Sequence, residues 1–219
     1  MFHVKHRICN RKEMKKKEFV EALIKKAEQY EIEMKRKEAD YIYVYYKELF
    51  MWNKKVNLIS KKEENRFIER HIIDSLSILK KIRIENDDRL LDIGSGNGLP
   101  GIPLAIMLPN RTVDLLESNT KKCVFLRHLI SKLNLKKTTV FCERFEKIYQ
   151  KLNKYDYVLV RGKKISEREK GMIMDCLRSN GSLITYAGIK PYSLEVKSRE
   201  QVECFEGIEK RKLIIIRHF

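Results

Sequence analysis

The run Leu90-Leu91-Asp92-Ile93-Gly94-Ser95-Gly96-Asn97-Gly98-Leu99-Pro100-Gly101 puts an acid in a short apolar stretch and then glycines at alternate positions. Pro100 and Pro103 then open an amphipathic segment. That order predicts a strand, a tight turn and a helix. The glycines permit φ > 0 and let a ligand lie against bare backbone, and the helix start behind them offers unpaired N–H groups. Glu117 ends the next apolar strand, Val113 to Leu116. An acid at that place can accept hydrogen bonds from both hydroxyls of a ribose, as in nucleoside-binding doubly wound sheets. A dinucleotide fingerprint needs glycine at the first, third and sixth positions. Counting from Gly94, the sixth position is Leu99, so the spacing is G-x-G-x-G behind Asp92.

That spacing resembles class I S-adenosylmethionine-dependent methyltransferases. Their ligand carries a sulfonium and an amino acid where a dinucleotide carries phosphates, so it asks for a carboxylate and close backbone. Asp92, Gly94, Ser95, Gly96, Gly98, Leu99 and Glu117 are the candidate cofactor residues. The target atom is narrowed by absences. Exocyclic amines are usually methylated with an (N/D/S)-P-P-(Y/F) loop, and the chain has no Pro-Pro pair; pyrimidine C5 needs an attacking Cys after Pro, and no proline precedes a cysteine. Guanine N7 has a free lone pair and needs positioning and electrostatics rather than a base. Weight shifts to ring-nitrogen or ribose methylation, with protein and small-molecule targets still open. No residue stands out as catalytic. Arg161, after the strand Tyr155 to Val160, sits where doubly wound sheets bind ligands. It could contact cofactor, phosphate or base. Arg144-Phe145-Glu146 follows the third strand and could frame an adenine ring, or Glu146 could cap the next helix.

The elements that must position these residues alternate. Strands are expected at 89–93, 112–116, 138–142, 155–160, 181–186 and 212–217, and helices at 101–108, 119–133, 144–150, 166–178 and near 192–199. This predicts an α/β, Rossmann-like doubly wound sheet, mostly parallel and covered on both faces. The last strand has no crossover helix left and should run antiparallel beside 201–205. Residues 1–86 read as a helical N-terminal extension packed on the core, and 87–219 as the cofactor-binding domain, together one structural unit. In the extension, Met14 to Ala39 has apolar residues at Phe19, Leu23, Ala27 and Tyr30. The aromatic stretch Tyr41 to Trp52 reads as core rather than a base-stacking surface. A third helix is expected from Glu63 to Lys80, with Phe67, His71, Ser75 and Ile78 on one flank.

With 47 Lys+Arg against 30 Asp+Glu, the formal net charge is +17, and the pI is near 9.6. A chain so basic points to a polyanionic partner, nucleic acid first. No apolar run reaches the roughly 18 residues of a transmembrane helix, and the basic N-terminus lacks a signal-peptide apolar core. Five scattered cysteines without a C-x-x-C pair argue against a disulfide framework or a zinc site. The expectation is a cytoplasmic monomer with reduced thiols, no metal and no membrane contact.

Three segments carry a closer resemblance: Trp52-Asn53-Lys54-Lys55-Val56-Asn57-Leu58-Ile59, Arg70-His71-Ile72-Ile73-Asp74-Ser75-Leu76, and the glycine loop with its Leu99-Pro100-Gly101-Ile102-Pro103 continuation. Together with Leu116-Glu117-Ser118, Lys121-Lys122, Phe125-Leu126-Arg127, Arg144-Phe145-Glu146 and Asp156-Tyr157-Val158 with Arg161, they resemble the bacterial 16S rRNA guanine-N7 methyltransferase family (RsmG, or glucose-inhibited division protein B) over about residues 40 to 217. The resemblance implies a helical extension on a methyltransferase sheet and S-adenosylmethionine-dependent N7 methylation of one guanosine in the 530 loop of small-subunit rRNA. It also implies that Gly94 and Leu99 line the cofactor, that Phe145 and Glu146 lie at its adenine end, and that Arg161 closes the site. Two positions depart from the family pattern. Ala187-Gly188 stands where Lys-Gly is usual, and Gly162 where Ala follows the arginine. Lys163 or Lys190 could supply the missing charge. Lys54, Lys55, Lys61, Lys62, Lys121, Lys122 and Arg127 are candidate phosphate contacts. His71 and Asp74 read as structural hydrogen-bonding residues between extension and sheet, and Trp52 and Asn57 as structural too. The rival reading is an RNA-binding or ribosome-assembly module on a methyltransferase scaffold without turnover.

Overall fold

The computed structural model describes residues 14–60, 63, 66–187, 200–206 and 211–218. Lys61, Lys62, Gly188, Lys190 and the helix expected near 192–199 lie outside them. The first 80 residues supply helices: α1 (Lys16–Gln29), α2 (Arg36–Asn53), then a π-helical segment Phe67–Ile73 that runs through one α-turn (Asp74–Leu76) into a 3-10 turn (Ser77–Lys80). Then come β1 (Arg89–Ile93), α3 (Gly101–Met107), β2 (Thr112–Glu117), α4 (Thr120–Lys132), β3 (Thr138–Cys142), α5 (Phe145–Ile148), β4 (Tyr155–Arg161), α6 (Glu167–Met174), β5 (Leu177–Ala187), β6 (Glu200–Glu206) and β7 (Lys212–His218).

The seven strands form one sheet in the order β3-β2-β1-β4-β5-β7-β6. β1 runs parallel to β2 and β4, while β7 is antiparallel to both β5 and β6, as the missing crossover required. Strand order reverses between β1 and β4. The ends of both strands therefore open onto the crevice where such sheets bind ligands. Alternate residues face opposite layers. Leu90, Val113, Leu115, Leu159 and Ile184 pack with α1, α2, α3 and α4, through Leu23, Ile42, Tyr45, Ile102 and Phe125. Leu91, Ile93, Leu116, Val158 and Val160 pack on the other face with Phe145 and Ile173. Burial on both faces is why these strands read as nearly continuous apolar runs. Each fully buried Ile42 or Leu49 contributes about 1.5–3 kcal/mol.

The helical stretch differs from the sequence reading at three places. Met14 to Ala39 is not one helix. α1 ends at Gln29, Glu31 adopts φ 54, and the Ile32 amide returns to the Ala27 carbonyl. The expected helix 63–80 becomes the π, α and 3-10 series, and Phe67, His71, Ser75 and Ile78, expected on one flank, are all buried. The helix expected to reach 178 stops at Met174. The Cys176 carbonyl takes the Tyr155 amide, and Leu177 already pairs with β4. The strand expected at 181–186 is the stretch in regular register with Tyr157–Arg161, beyond an irregular turn with Asn180 at φ 65.

Two polar clips join the helices to the glycine loop. Asn53 takes the Leu58 and Ile59 amides on its side-chain oxygen (2.8 and 3.0 Å) and donates to the Ile59 carbonyl. This folds 54–59 so that the Leu58 carbonyl accepts from Asn97. From α2, the fully buried Tyr45 hydroxyl donates to the Asn97 carbonyl at 2.9 Å. Most of the aromatic stretch packs in the core, with Tyr46 against Phe19 and Phe67, and Trp52 against Phe125, but Tyr41 is exposed.

Candidate nucleoside site and the arginine cluster beside it

The β1–α3 loop is held by β2. The Gly94 and Ser95 amides donate to the Leu116 carbonyl (2.8 and 3.0 Å). The Glu117 carboxylate takes the Gly96 amide at 2.8 Å on one oxygen and the Asn119 amide at 2.7 Å on the other. Each oxygen keeps a further lone pair. Asp92, fully buried under the loop, accepts from the Gly101 amide at 3.0 Å through Oδ2, while its Oδ1 has no protein partner. Burial pushes the Asp92 carboxyl up to about 7, against the Gly101 hydrogen bond and the Arg161 charge. Gly94 takes φ +74, and a Cβ there would meet nothing within 4 Å.

Two clefts meet at Gly94. The larger, about 670 Å³, is lined by Glu117, Ser118, Arg144, Phe145 and Glu146 and extends to Lys163 and Arg168. That volume falls within the roughly 300–1,000 Å³ of small-molecule sites. The smaller, about 250 Å³, is lined by Ser95, Gly96, Asn97 and Leu99 on the loop side, and by Arg70, His71, Arg161 and Arg211 opposite. Of the residues expected from sequence, Gly94, Glu117, Phe145 and Glu146 thus line the larger cleft, and Gly94, Ser95, Gly96, Leu99 and Arg161 the smaller. Asp92 lies beneath the loop. Gly98 faces α3, where a Cβ would meet Ile102 Cγ1 at 2.6 Å, so its role is packing.

Arg161 is held along one edge by the π-segment. Its Nε and one terminal nitrogen donate to Asp74 (3.2 and 3.0 Å). The same nitrogen donates to the Arg70 carbonyl at 2.8 Å and lies 3.4 Å from His71 Nδ1. Arg211 stands 3.7 Å from the same Asp74 oxygen, with its Nε buried and without a partner. Glu63 pairs with Arg70 at 2.9 Å and reaches His71 Nε2 at 3.0 Å. Burial, and then the charges of Arg161, Arg70 and Arg211, push the His71 imidazole down to about 3. A neutral ring that accepts on Nδ1 fits Arg161, while Nε2 is buried near Glu63 without a hydrogen bond. His71 and Asp74 therefore bridge the helical segment and β4, as the sequence suggested. Glu63, Arg70 and Arg211 were missed as site residues. The antiparallel course of β7 carried the one usable signal, since pairing Ala187 with Lys212 brings the start of β7 to the carboxyl edge of β5.

Among the described residues, the lysines expected at a phosphate interface are not gathered into either cleft, apart from Lys163, which pairs with Glu169 at 2.6 Å. Lys54, Lys55 and Lys121 are exposed and Lys122 is half-buried, all outside both clefts. Arg127 donates to the Val140 carbonyl of β3. Gly162 lines the smaller cleft at φ +77, a backbone that the usual Ala would adopt only with strain. Among the described residues no helix is long and apolar enough to cross a membrane, and no group of three or more His, Cys, Asp or Glu side chains could hold a metal.

Comparison with known proteins agrees with this geometry. Among solved structures, a variant of MtNAS in complex with S-adenosylmethionine superposes with a TM-score of 0.58 over 91% of this chain and 82% of its own, at 15% identity. A precorrin-6y C5,15-methyltransferase from Geobacter metallireducens superposes with a TM-score of 0.51 over 74% and 90%, at 20% identity. Both show the fold. Ribosomal RNA small subunit methyltransferase G of Chromobacterium violaceum is 37% identical over 66% of this chain and 68% of its own length. That of Lachnoclostridium phytofermentans is 33% identical over 75% and 69%. Residues 39–218 match the family model described as GidB, rRNA small subunit methyltransferase G. With a doubly wound sheet, a glycine loop tied to Glu117 and a family match over most of its length, the chain belongs to the GidB family of rRNA small subunit methyltransferases.

Proposed function

We propose that the protein is an S-adenosylmethionine-dependent methyltransferase that methylates guanine N7 in the 530 loop of 16S rRNA. The observation that carries this reading is the meeting of two unlike clefts at Gly94, one faced by a carboxylate and an aromatic ring, the other by three arginines. The residues present fit the cofactor. Glu117 has lone pairs left for ribose hydroxyls, Phe145 and Glu146 suit an adenine ring, and the loop leaves open space at Gly94. Bound there, the cofactor supplies a methyl group on a positively charged sulfur.

What the chain contributes is positioning. N7 attacks through a lone pair that carries no proton, so no general base is needed, and buried His71 has its Nδ1 directed at Arg161. Arg161, fixed along one edge by Asp74 and the Arg70 carbonyl, keeps its remaining N–H groups for an acceptor on the substrate. Arg211 keeps unfilled donor capacity at the same cleft and suits a phosphate or a purine carbonyl. The net charge of +17 favours a polyanionic substrate.

The test is transfer of labelled methyl to small-subunit rRNA that lacks its 530-loop modification, with N7-methylguanosine mapped by chemical cleavage. One new cleavage site in that loop supports the reading, and transfer should weaken steeply with salt. Tight cofactor binding with no transfer to naked rRNA or to assembled subunits would replace it with the non-catalytic RNA-binding reading.

A further inference from the structure

The charged clefts leave one pair of reactive groups unused. Cys123, in the first turn of α4, is fully buried and its Sγ lies 3.1 Å from the Glu117 carbonyl, to which it donates. Cys142 ends β3 and is the register partner of Glu117 across the β2–β3 ladder. Both cysteines thus lie against Glu117, one through its Sγ and the other through its strand register. Arg127, one helical turn beyond Cys123, extends its guanidinium to the Val140 carbonyl, two residues before Cys142 on the same strand. The remaining described cysteines, Cys176 and Cys204, lie on α6–β5 and β6, away from this pair.

We propose that Cys123 and Cys142 form a reversible disulfide with a low-molecular-weight disulfide as oxidant, and that this bond loosens the carboxylate end of the nucleoside site.

Access sets the order of events. Cys142 is half-buried and Cys123 is sealed. Burial above all pushes the Cys123 thiol up to about 12, so it remains protonated until the second step. The Cys142 thiolate attacks one sulfur of R–S–S–R, a mixed disulfide forms, and R–S⁻ leaves and takes up a proton. The Cys123 sulfur then gives its proton to solvent, attacks the Cys142 sulfur and expels the second R–S⁻. Two protein thiols are oxidised to one disulfide, and one R–S–S–R is reduced to two R–SH.

A disulfide sets its two sulfurs about 2.05 Å apart. The Cys123 hydrogen bond to the Glu117 carbonyl is lost, and the first turn of α4 is pulled toward β3. Glu117 is the group that holds the Gly96 and Asn119 amides. Loss of one charge-assisted hydrogen bond at a bound ribose lowers affinity by about tenfold or more. This second effect rests on the nucleoside reading of the site, and the cross-link itself does not.

The experiment treats the full chain with oxidised glutathione, maps disulfide-linked peptides by mass spectrometry, and measures S-adenosylmethionine affinity by calorimetry before and after. The expected result is a linked peptide pair containing Cys123 and Cys142, at least about tenfold weaker binding, and recovery with dithiothreitol. Cys142→Ser and Cys142→Ala should bind normally and ignore the oxidant. Glutathione left stably on Cys142, with no link to Cys123, overturns the proposal. A mapped link with unchanged affinity overturns its control of the site. A link that forms in a chain that binds no S-adenosylmethionine even when reduced supports the modification and overturns the cofactor reading.

Discussion

Replacing Arg161 with alanine tests the arginine cluster most directly. The family resemblance, in which Arg161 closes the site, leads to an expected loss of transfer. The structure adds a thermodynamic cost. Asp74 is 2% exposed, and Arg161 is its nearest cation, at 3.0 Å. Removing one partner of a buried pair costs about 3–5 kcal/mol, because the remaining charge has lost its compensation. Arg211 stays 3.7 Å from Asp74 and offsets part of that loss, which places the expected value near the lower end, at about 3 kcal/mol. That is a large share of the roughly 5–15 kcal/mol of a typical domain. Urea denaturation followed by circular dichroism should show the midpoint falling with an unchanged slope. Single-turnover transfer in native buffer should fall to background. Arg161→Met combined with Asp74→Asn removes both charges and should recover most of the stability without recovering transfer. A stability change in Arg161→Ala of less than about 0.5 kcal/mol, the range of ordinary surface substitutions, would refute the view that this guanidinium neutralises a buried carboxylate.

Other expectations follow from the same geometry. Gly94→Ala faces open space but a left-handed backbone, so it should cost about 1–2 kcal/mol of stability and a larger part of cofactor affinity. Gly98→Ala adds a clash with Ile102 to similar strain and should cost roughly 2–5 kcal/mol; equal losses in the two variants by thermal denaturation would refute the distinction. The Asp92 carboxyl is raised from 3.8 to about 7, so the free folded chain binds more protons than the unfolded chain between those values, and stability falls as pH rises through that window. Asp92→Asn should therefore gain on the parent from about pH 4 to about pH 7, by up to roughly 4 kcal/mol, and a pH-independent difference in urea midpoint would count against a buried, protonated Asp92. His71 works in the opposite sense. Its imidazole is lowered from 6.5 to about 3, so the unfolded chain binds more protons in that interval and stability is lost as pH drops below about 6.5. His71→Gln should flatten this acid limb, and an unaltered limb would show that the ring is not held neutral.

The parts of the site built from local pattern were legible in the sequence. The glycine loop announces itself by spacing, Glu117 by its place at a strand end, and the antiparallel β7 by the absence of a crossover helix. The arginine cluster was not legible as a set. Asp74 and Arg161 are 87 residues apart, and their pairing depends on a π-helical turn whose hydrophobic period resembles that of an ordinary helix. Glu63 and Arg211 meet that pair only through tertiary folding, and nothing in their neighbours' types marks them among 47 basic and 30 acidic residues. Asn53 was visible within a motif, but its function as a clip depends on the chain reversing over 54–59, which composition does not encode. The helix expected to reach 178 overshot because Ile173, Cys176 and Leu177 continue an apolar period that β5 uses instead.

The bond from Tyr45 to Asn97 makes one equilibrium out of two. The Asn97 part of the glycine loop is held by α2, as its Gly94–Gly96 part is held by β2, so the seating of α2 and binding at the loop are coupled. Coupling of this kind is reciprocal: whatever the helix contributes to affinity, a bound ligand returns to the helix. Amide protons of α2, which lies outside both clefts, should therefore exchange more slowly in the liganded protein. Tyr45→Phe cuts the connection at one hydroxyl, and in that variant the helix should respond less to what the loop holds.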